Sequence, residues 1–411
     1  MNLKQIAIML LLICPILLFG QKLFVVNSQS RTLSRIDLDE DSVDNNFAQL
    51  GNIPNKVLVT QDYLWVVNSG DNSLQKISTT GGNTLGNFFV EPSSNPWDAI
   101  MDNNDIYITG LMSSRVYKMD SQTGIIQDNV LVGTAPGGLA SFAGKLYVCN
   151  SGNYMANYAG SSVSVIDLES FEVIRTIPLP ANPQYLAIHN GLIHVSSTGN
   201  WSDITGVISV IDPALDEVIQ TIPLGGSPGR IWVNDNDVAY VADGSGYNLY
   251  SYDASSFALL NPASDPLPFA ASDLVGNDSF VALLNPQWGE NATVQILRQD
   301  LSLWKSFTVR LMPTDIKLLE NPSSHGCEVQ IPQALKVYPN PAPTGSVMRI
   351  EGDKSIFGTL DVYNLRGQRV ASTRMIRGQA LLSLDEYPTG LYFYKLRSNE
   401  GIISGKYIIT R

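Results

Sequence analysis

Three histidines, one acidic run and a handful of loop aromatics are the side chains that could do chemistry. His189, His194 and His325 have no second ligand-type residue at metal spacing and no nucleophile at triad spacing. No G-x-S-x-G elbow, H-E-x-x-H pair or phosphate-binding glycine loop occurs. His189 precedes Asn190-Gly191, a hairpin-turn dipeptide, and His194 sits in a strand pattern, so both read as structural. The acidic run from Asp37 to Asp44 invites a calcium reading. An EF-type loop would need Gly at the sixth position and Glu at the twelfth, where this chain has Ser42 and Ala48. A solvated hairpin is the simpler expectation. Cys14, Cys149 and Cys327 show no metal-ligand spacing either, and Cys149 reads as a buried small hydrophobe. No metal, no cofactor and no catalytic residue is therefore assigned.

The aromatics are more informative. Tyr154, Tyr158, Trp201 and Trp288 lie in Gly-, Asn- and Ser-rich stretches at 150–161, 197–206 and 285–293. Trp97, Asp98, Tyr185 and Arg230 each come one or two residues after a proline. Aromatic rings mixed with amides offer apolar area with a polar handle, which is what a ligand or partner surface needs. These eight residues are the candidate binding site.

The elements that must position them emerge from composition and repetition. The 411 residues are 44% hydrophobic and only 16% charged, with Gly 33, Pro 22 and Tyr 17, a composition of turns and strands that argues against disorder. A net charge of −12 without a basic stripe excludes a nucleic-acid binder. Lys4, the apolar run from Ile6 to Leu18, and Gln21 after Gly20 read as a secretory signal peptide over 1–20. No later segment reaches 18 apolar residues, so no transmembrane segment is expected in the mature chain.

A strand pattern starting at Leu23, Leu64, Ile106, Leu146, Ile193, Ala239 and Phe280 recurs at intervals of 41, 42, 40, 47, 46 and 41 residues. Several copies continue into a second strand ending in Asp, as at Asp167, Asp212 and Asp253. That interval fits four short strands per unit, the period of a β-propeller blade. A second marker is a proline before a short apolar strand, at Pro54, Pro96, Pro136, Pro183, Pro228, Pro268 and Pro313. The chain opens without a Pro-led strand and the repeats close on one. The strand after Pro313 should therefore complete the first blade and close a ring of seven over 21–320. Loops between second and third strands share a face with the proline loops in this topology, so the candidate site should lie on one side, weighted toward blades four, five and seven.

The repeats Leu64-Trp-Val-Val-Asn68 and Tyr147-Val-Cys-Asn150, with the downstream Ser-Val-Ile-Asp, resemble the YVTN-type propeller repeats of bacterial surface proteins. The resemblance implies a surface-displayed propeller; some related propellers capture corrinoids for an outer-membrane transporter. It specifies architecture and leaves the ligand open.

After a non-repeating linker at 321–334 the charge changes sign. Residues 335–411 hold 11 Lys and Arg against 6 Asp and Glu, net +5, whereas residues 21–334 hold 14 against 32, net −18. This segment alternates short strands and turns, enough for a small antiparallel β-sandwich, so the whole chain is expected to be all-β. Four of its motifs resemble the C-terminal sorting domain of the type IX secretion system. They are Val337-Tyr338-Pro339-Asn340-Pro341, the stretch from Asp361 through Gly367 to Gln368, Tyr387-Pro388-Thr389-Gly390-Leu391-Tyr392-Phe393-Tyr394, and the terminal run from Gly405 and Lys406 to Arg411. The resemblance implies recognition by a type IX translocon, removal of the tail by a sortase-like peptidase, and release to the medium or attachment at the cell surface. Three functions fit the whole: non-catalytic capture of a ligand or partner, adhesion, and a secreted hydrolase or lyase.

Overall fold

The computed structural model describes residues 21–319 and 335–410, apart from 353–355, 366–367, 384–386 and 399–400. The signal-like segment 1–20, the linker 321–334 and Gly367 lie outside the described residues. The propeller expectation is met: seven four-stranded antiparallel sheets succeed one another along residues 22–319. The inner strands of blades 2 to 6 are Pro54–Val59, Pro96–Asp102, Pro136–Phe142, Pro183–His189 and Pro228–Val233. In blade 7 the inner strand is Asp273–Gly276. Blade 1 takes its inner strand from the far end of the repeats: Pro313–Leu319 pairs antiparallel with Lys22–Asn27, Ile316 opposite Val25. Ring closure by the last strand, three strands plus one, is thus present.

The second strand of each blade is apolar along its whole length because both of its faces are covered. Leu23 and Val25 join a core with Phe280, Ala282 and Leu284 of blade 7. Phe24 and Val26 point the other way, into a core with Val57, Leu64 and Val66 of blade 2. The same division recurs around the ring, giving seven apolar wedges, each shared by two consecutive blades. Strands buried on one face alternate; strands buried on both read as continuous runs.

The recurring polar letters hold the blade edges. Asn27, Asn68 and Asn150 end second strands, and each side chain is buried and donates to the third strand: Asn27 to Ser34 Oγ at 2.8 Å, Asn68 to Gln75 Oε1 at 3.1 Å, Asn150 to Ser164 Oγ at 2.9 Å. These asparagines therefore do more than satisfy turn geometry. Hydroxyls at that end reach the next blade, as when Thr109 Oγ1 donates to Gly137 O and Thr198 Oγ1 to Pro228 O. At the opposite end each third-strand Asp accepts backbone N–H bonds from the turn it opens. Asp167 Oδ1 takes those of Glu169 and Ser170, and Asp37 those of Asp39 and Glu40. The acidic run 37–44 is thereby a hairpin.

Several details depart from expectation. Pro268 does not open blade 7; Ala271 occupies the position that proline holds elsewhere, because Asp273, two residues on, pairs with Leu284 as Lys56 pairs with Val67. The third expanded loop is shorter than 285–293, since the third strand already starts at Asn291. The histidines also find partners that local spacing cannot reveal. His189 Nε2 lies 2.6 Å from Asp237 Oδ1, and Tyr252 Oη is 2.8 Å from His194 Nδ1. Burial drives His194 down to about 3, with the nearby His189 adding to the effect, so it is neutral in the core.

The C-terminal part is the expected sandwich. A three-stranded sheet (Lys336–Tyr338, Val347–Glu351, Gln379–Ser383) faces a five-stranded one, and Met348, Ile350, Leu360, Tyr394 and Tyr407 fill the space between. One pairing is parallel, between Ala342–Pro343 and the last strand.

Closure makes a direct stability test. Ending the chain at residue 309 removes Pro313–Leu319, opens the edge of Lys22–Asn27 and exposes the wedge containing Ile316; ending it at 320 keeps them. The shorter chain should lose several kcal/mol and aggregate on heating, while the longer one keeps the propeller's melting temperature. Matching thermal unfolding of the two would refute closure by the last strand.

Candidate functional site

The proline that starts an inner strand fixes where the next side chains point. In most blades the register shifts just after the proline, and the residue two positions on faces the central channel. Around the ring that position is Lys56, Asp98, Gly138, Tyr185, Arg230, Asp273 and Asp315. Three candidates, Asp98, Tyr185 and Arg230, are thus brought together with charged partners that the sequence reading missed. The available signal was positional: one residue per blade, two after the proline.

These groups form a buried network. Arg230 donates from Nε to Asp273 Oδ1 and from Nη2 to Asp315 Oδ1, both at 2.8 Å. Lys56 Nζ lies 3.3 Å from Asp315 Oδ1, and the Val57 N–H donates to Asp315 Oδ2 at 2.9 Å. Tyr185 presents its ring to both cations, 4.9 Å from Lys56 Nζ and 5.0 Å from the Arg230 guanidinium carbon. Burial opposes ionisation of Asp315, yet Lys317, Lys56 and Arg230 together hold it well below the usual carboxylate range. Asp98 differs: burial pushes it up, and among the described residues no cation forms an ion pair with it. Its Oδ1 accepts the Ala99 N–H at 2.8 Å. This network ties blades 6, 7, 1 and 2 together. Arg230 thus has its hydrogen bonds within the framework of the ring, and Asp98 lies beside it, buried.

The loop aromatics divide into separate groups. Tyr154, Tyr158 and Trp201 pack edge-on in series, with ring centroids 5.7 and 6.2 Å apart, joining the expanded loops of blades 4 and 5. Asn200 Nδ2 donates across the same junction to Asn157 Oδ1 at 2.9 Å. Tyr158 is buried beneath the pair, whereas Tyr154 is 70% and Trp201 55% exposed. Trp201 and Tyr158 hold φ of 55° and 61°, a conformation bulky residues avoid unless their surroundings impose it. Trp288 stands apart, 76% exposed, with Nε1 donating to Tyr247 Oη at 3.1 Å. Trp97 is half-buried beside blade 4, whose Gly137 has room for a Cβ 3.9 Å from Trp97 Cδ1. The structure thus brings the eight residues together as a channel group, a two-loop platform, a Trp288–Tyr247 pair and Trp97, not as one cluster.

In the sandwich, the sorting motifs have visible structural work. Asn340 Nδ2 donates to Lys406 O at 3.3 Å and its Oδ1 accepts the Ile408 N–H at 3.0 Å, so the first motif braces the last. Tyr338 bonds Glu351, and Pro339 and Pro341 both come after cis peptide bonds. Tyr392 Oη donates to Pro388 O at 2.8 Å, closing the turn before Gly390. The Tyr394 ring lies over Gly405, where any Cβ would collide with it.

The fold and site define a seven-bladed β-propeller, charge-locked at its axis, joined to a small β-sandwich. Residues 336–410, the sandwich, match the family model described as the secretion system C-terminal sorting domain. That match indicates secretion through the outer membrane to the cell surface or the extracellular space. Curated proteins give no match. Among solved structures, apo AztD from Citrobacter koseri is similar at 12% identity and a TM-score of 0.50, covering 73% of this chain and 98% of that one, a likeness of fold. The computationally designed Ika8 protein aligns at 12% identity and a TM-score of 0.49, over 87% and 96% of the two chains. Among the described residues no helix is long and apolar enough to cross a membrane.

The axial network predicts a large penalty for Arg230→Ala. Two carboxylates would remain buried with less compensation, and denaturant unfolding should show a loss of about 3–5 kcal/mol. Adding Asp273→Asn should recover part of it, because one orphaned charge is removed. A loss below about 1 kcal/mol for Arg230→Ala would mean that these groups are solvated and carry no closure energy.

Proposed function

We propose that the propeller is a surface-displayed or released binding module that captures a ligand or partner without catalysis, through the loop face of blades 4 and 5. The observation that carries this reading is the platform of exposed Tyr154 and Trp201 on buried Tyr158, held across two expanded loops. Burying exposed aromatics costs little side-chain entropy and yields much apolar contact, so such rings anchor interfaces. The adjoining Met155 is 89% exposed, which extends the apolar area. A shallow, outward-facing platform suits adhesion to a macromolecule. Capture of a corrinoid-like small molecule, the other form of this reading, would use the surface around Tyr185 and Trp97. The −18 charge of residues 21–334 favours a neutral or cationic partner over an acidic one. The tail is an address for the type IX translocon, removed by a sortase-like peptidase that leaves a product ending within 321–334.

Trp201→Ala should weaken an identified partner tenfold or more while unfolding stability changes by less than about 1 kcal/mol. Trp288→Ala, outside the platform, gauges how far the site extends. Binding titrations and thermal melts on both variants decide the matter. Normal binding with easier unfolding for Trp201→Ala would make the platform loop packing and move the site elsewhere.

A further inference from the structure

The outer face of the five-stranded sheet in the sandwich should be polar, since the core lies on its other side. At one end it is not. Tyr363, Phe393 and Lys406 stand opposite one another on three adjacent strands. Phe393 is 44% exposed, and Leu365, just beyond the first of these strands, is 69% exposed. With Tyr394 and Gly405 they line a groove of about 600 Å³ whose lining also includes Lys395 and Lys406. Neither lysine forms an ion pair among the described residues, although Asp361 nearby is taken by Arg369 and Arg397.

Nothing in the packing of the sandwich requires Leu365 or Phe393 to be apolar, because both project away from its core. The groove is also where the separate motifs meet. Tyr363 and Leu365 come from the second, Phe393 and Tyr394 end the third, and Gly405 and Lys406 belong to the fourth. The first motif holds the floor in place through the bonds from Asn340 to Lys406 and Ile408. Gly405 leaves the space that the Tyr394 ring fills, and so sets the groove's depth.

We propose that this groove is the surface by which the sorting domain docks on the secretion machinery, and that its occupant is an extended segment of a machinery protein with an apolar side chain flanked by carboxylates. The apolar side chain would lie between Leu365 and Phe393, and the carboxylates would meet Lys395 and Lys406. The net +5 of residues 335–411 favours the same sign of partner. This inference rests on the reading of the tail as an address for the type IX machinery and is independent of what the propeller binds.

The test is export of the full-length chain from a host with a working type IX system, measured as the amount outside the outer membrane. Leu365→Asp and Phe393→Ser should each lower it at least tenfold, with the protein accumulating in the periplasm. Leu381→Asp, a control at an equally exposed site on the other sheet, should remain within twofold of the original. Lys406→Glu, an exposed charge reversal that cannot empty the core, should lower export several-fold even if the apolar variants unfold. Thermal melts of each full chain separate docking from folding. Normal export of Lys406→Glu together with a folded Leu365→Asp or Phe393→Ser would overturn the proposal, as would equal loss for Leu381→Asp.

Discussion

The carboxylate of Asp315 carries the architecture. It lies on the last strand of the repeats, is fully buried, and accepts from Arg230 of blade 6, Lys56 of blade 2 and the Val57 N–H. Its own strand pairs with Lys22–Asn27, so one short segment both zips the ring and fills its axis. Nearly the whole propeller separates the paired strands in sequence. The closing contact must therefore offset the entropy of that loop, and burying charges at the axis is costly unless each is matched. For Asp273 and Asp315 the geometry supplies the match: Arg230, Lys56 and, at 3.9 Å, Lys317 surround them, and backbone N–H groups take remaining lone pairs.

Once axis and wedges are secured, the loops on the proline side are free to vary. Blades satisfy their edges from a small shared set of groups: in blades 1, 2 and 4 a buried Asn of the second strand bonds to the third, in blades 3 and 5 a hydroxyl reaches the next blade, and in five blades an Asp holds the opposite turn. None of these depends on how many residues the loop between second and third strand contains. Blades 4 and 5 use that freedom to build the aromatic platform. The positive φ at Trp201 and Tyr158 is tolerated because cross-loop contacts hold it in place, the usual cost of a specialised surface.

The fold was legible because its physics is periodic. Strands buried on both faces gave continuous apolar runs, and their interval gave the blade. The Pro-led strands gave the phase and so the closure, with Pro268 the one false marker. The site was legible only in part. Trp201 and Tyr154 could be read from loop composition, but contact between them depends on two blades lying side by side. Arg230 and Tyr185 could be read from their place after a proline, but their partners Asp273, Asp315 and Lys56 come from other blades, so the network they form is visible only in the closed ring. Exposed Leu365 and Phe393 look like ordinary strand residues until the sandwich shows which face is outside.

Native-state hydrogen exchange on the intact chain tests the central claim, that the last strand and its axial carboxylate hold the ring shut. Backbone amides of 314–319 should open only by global unfolding, with the same free energy as those of 23–27 and 64–68. Exchange of 314–319 at a free energy several kcal/mol lower, by local fraying while the other strands stay protected, would contradict it.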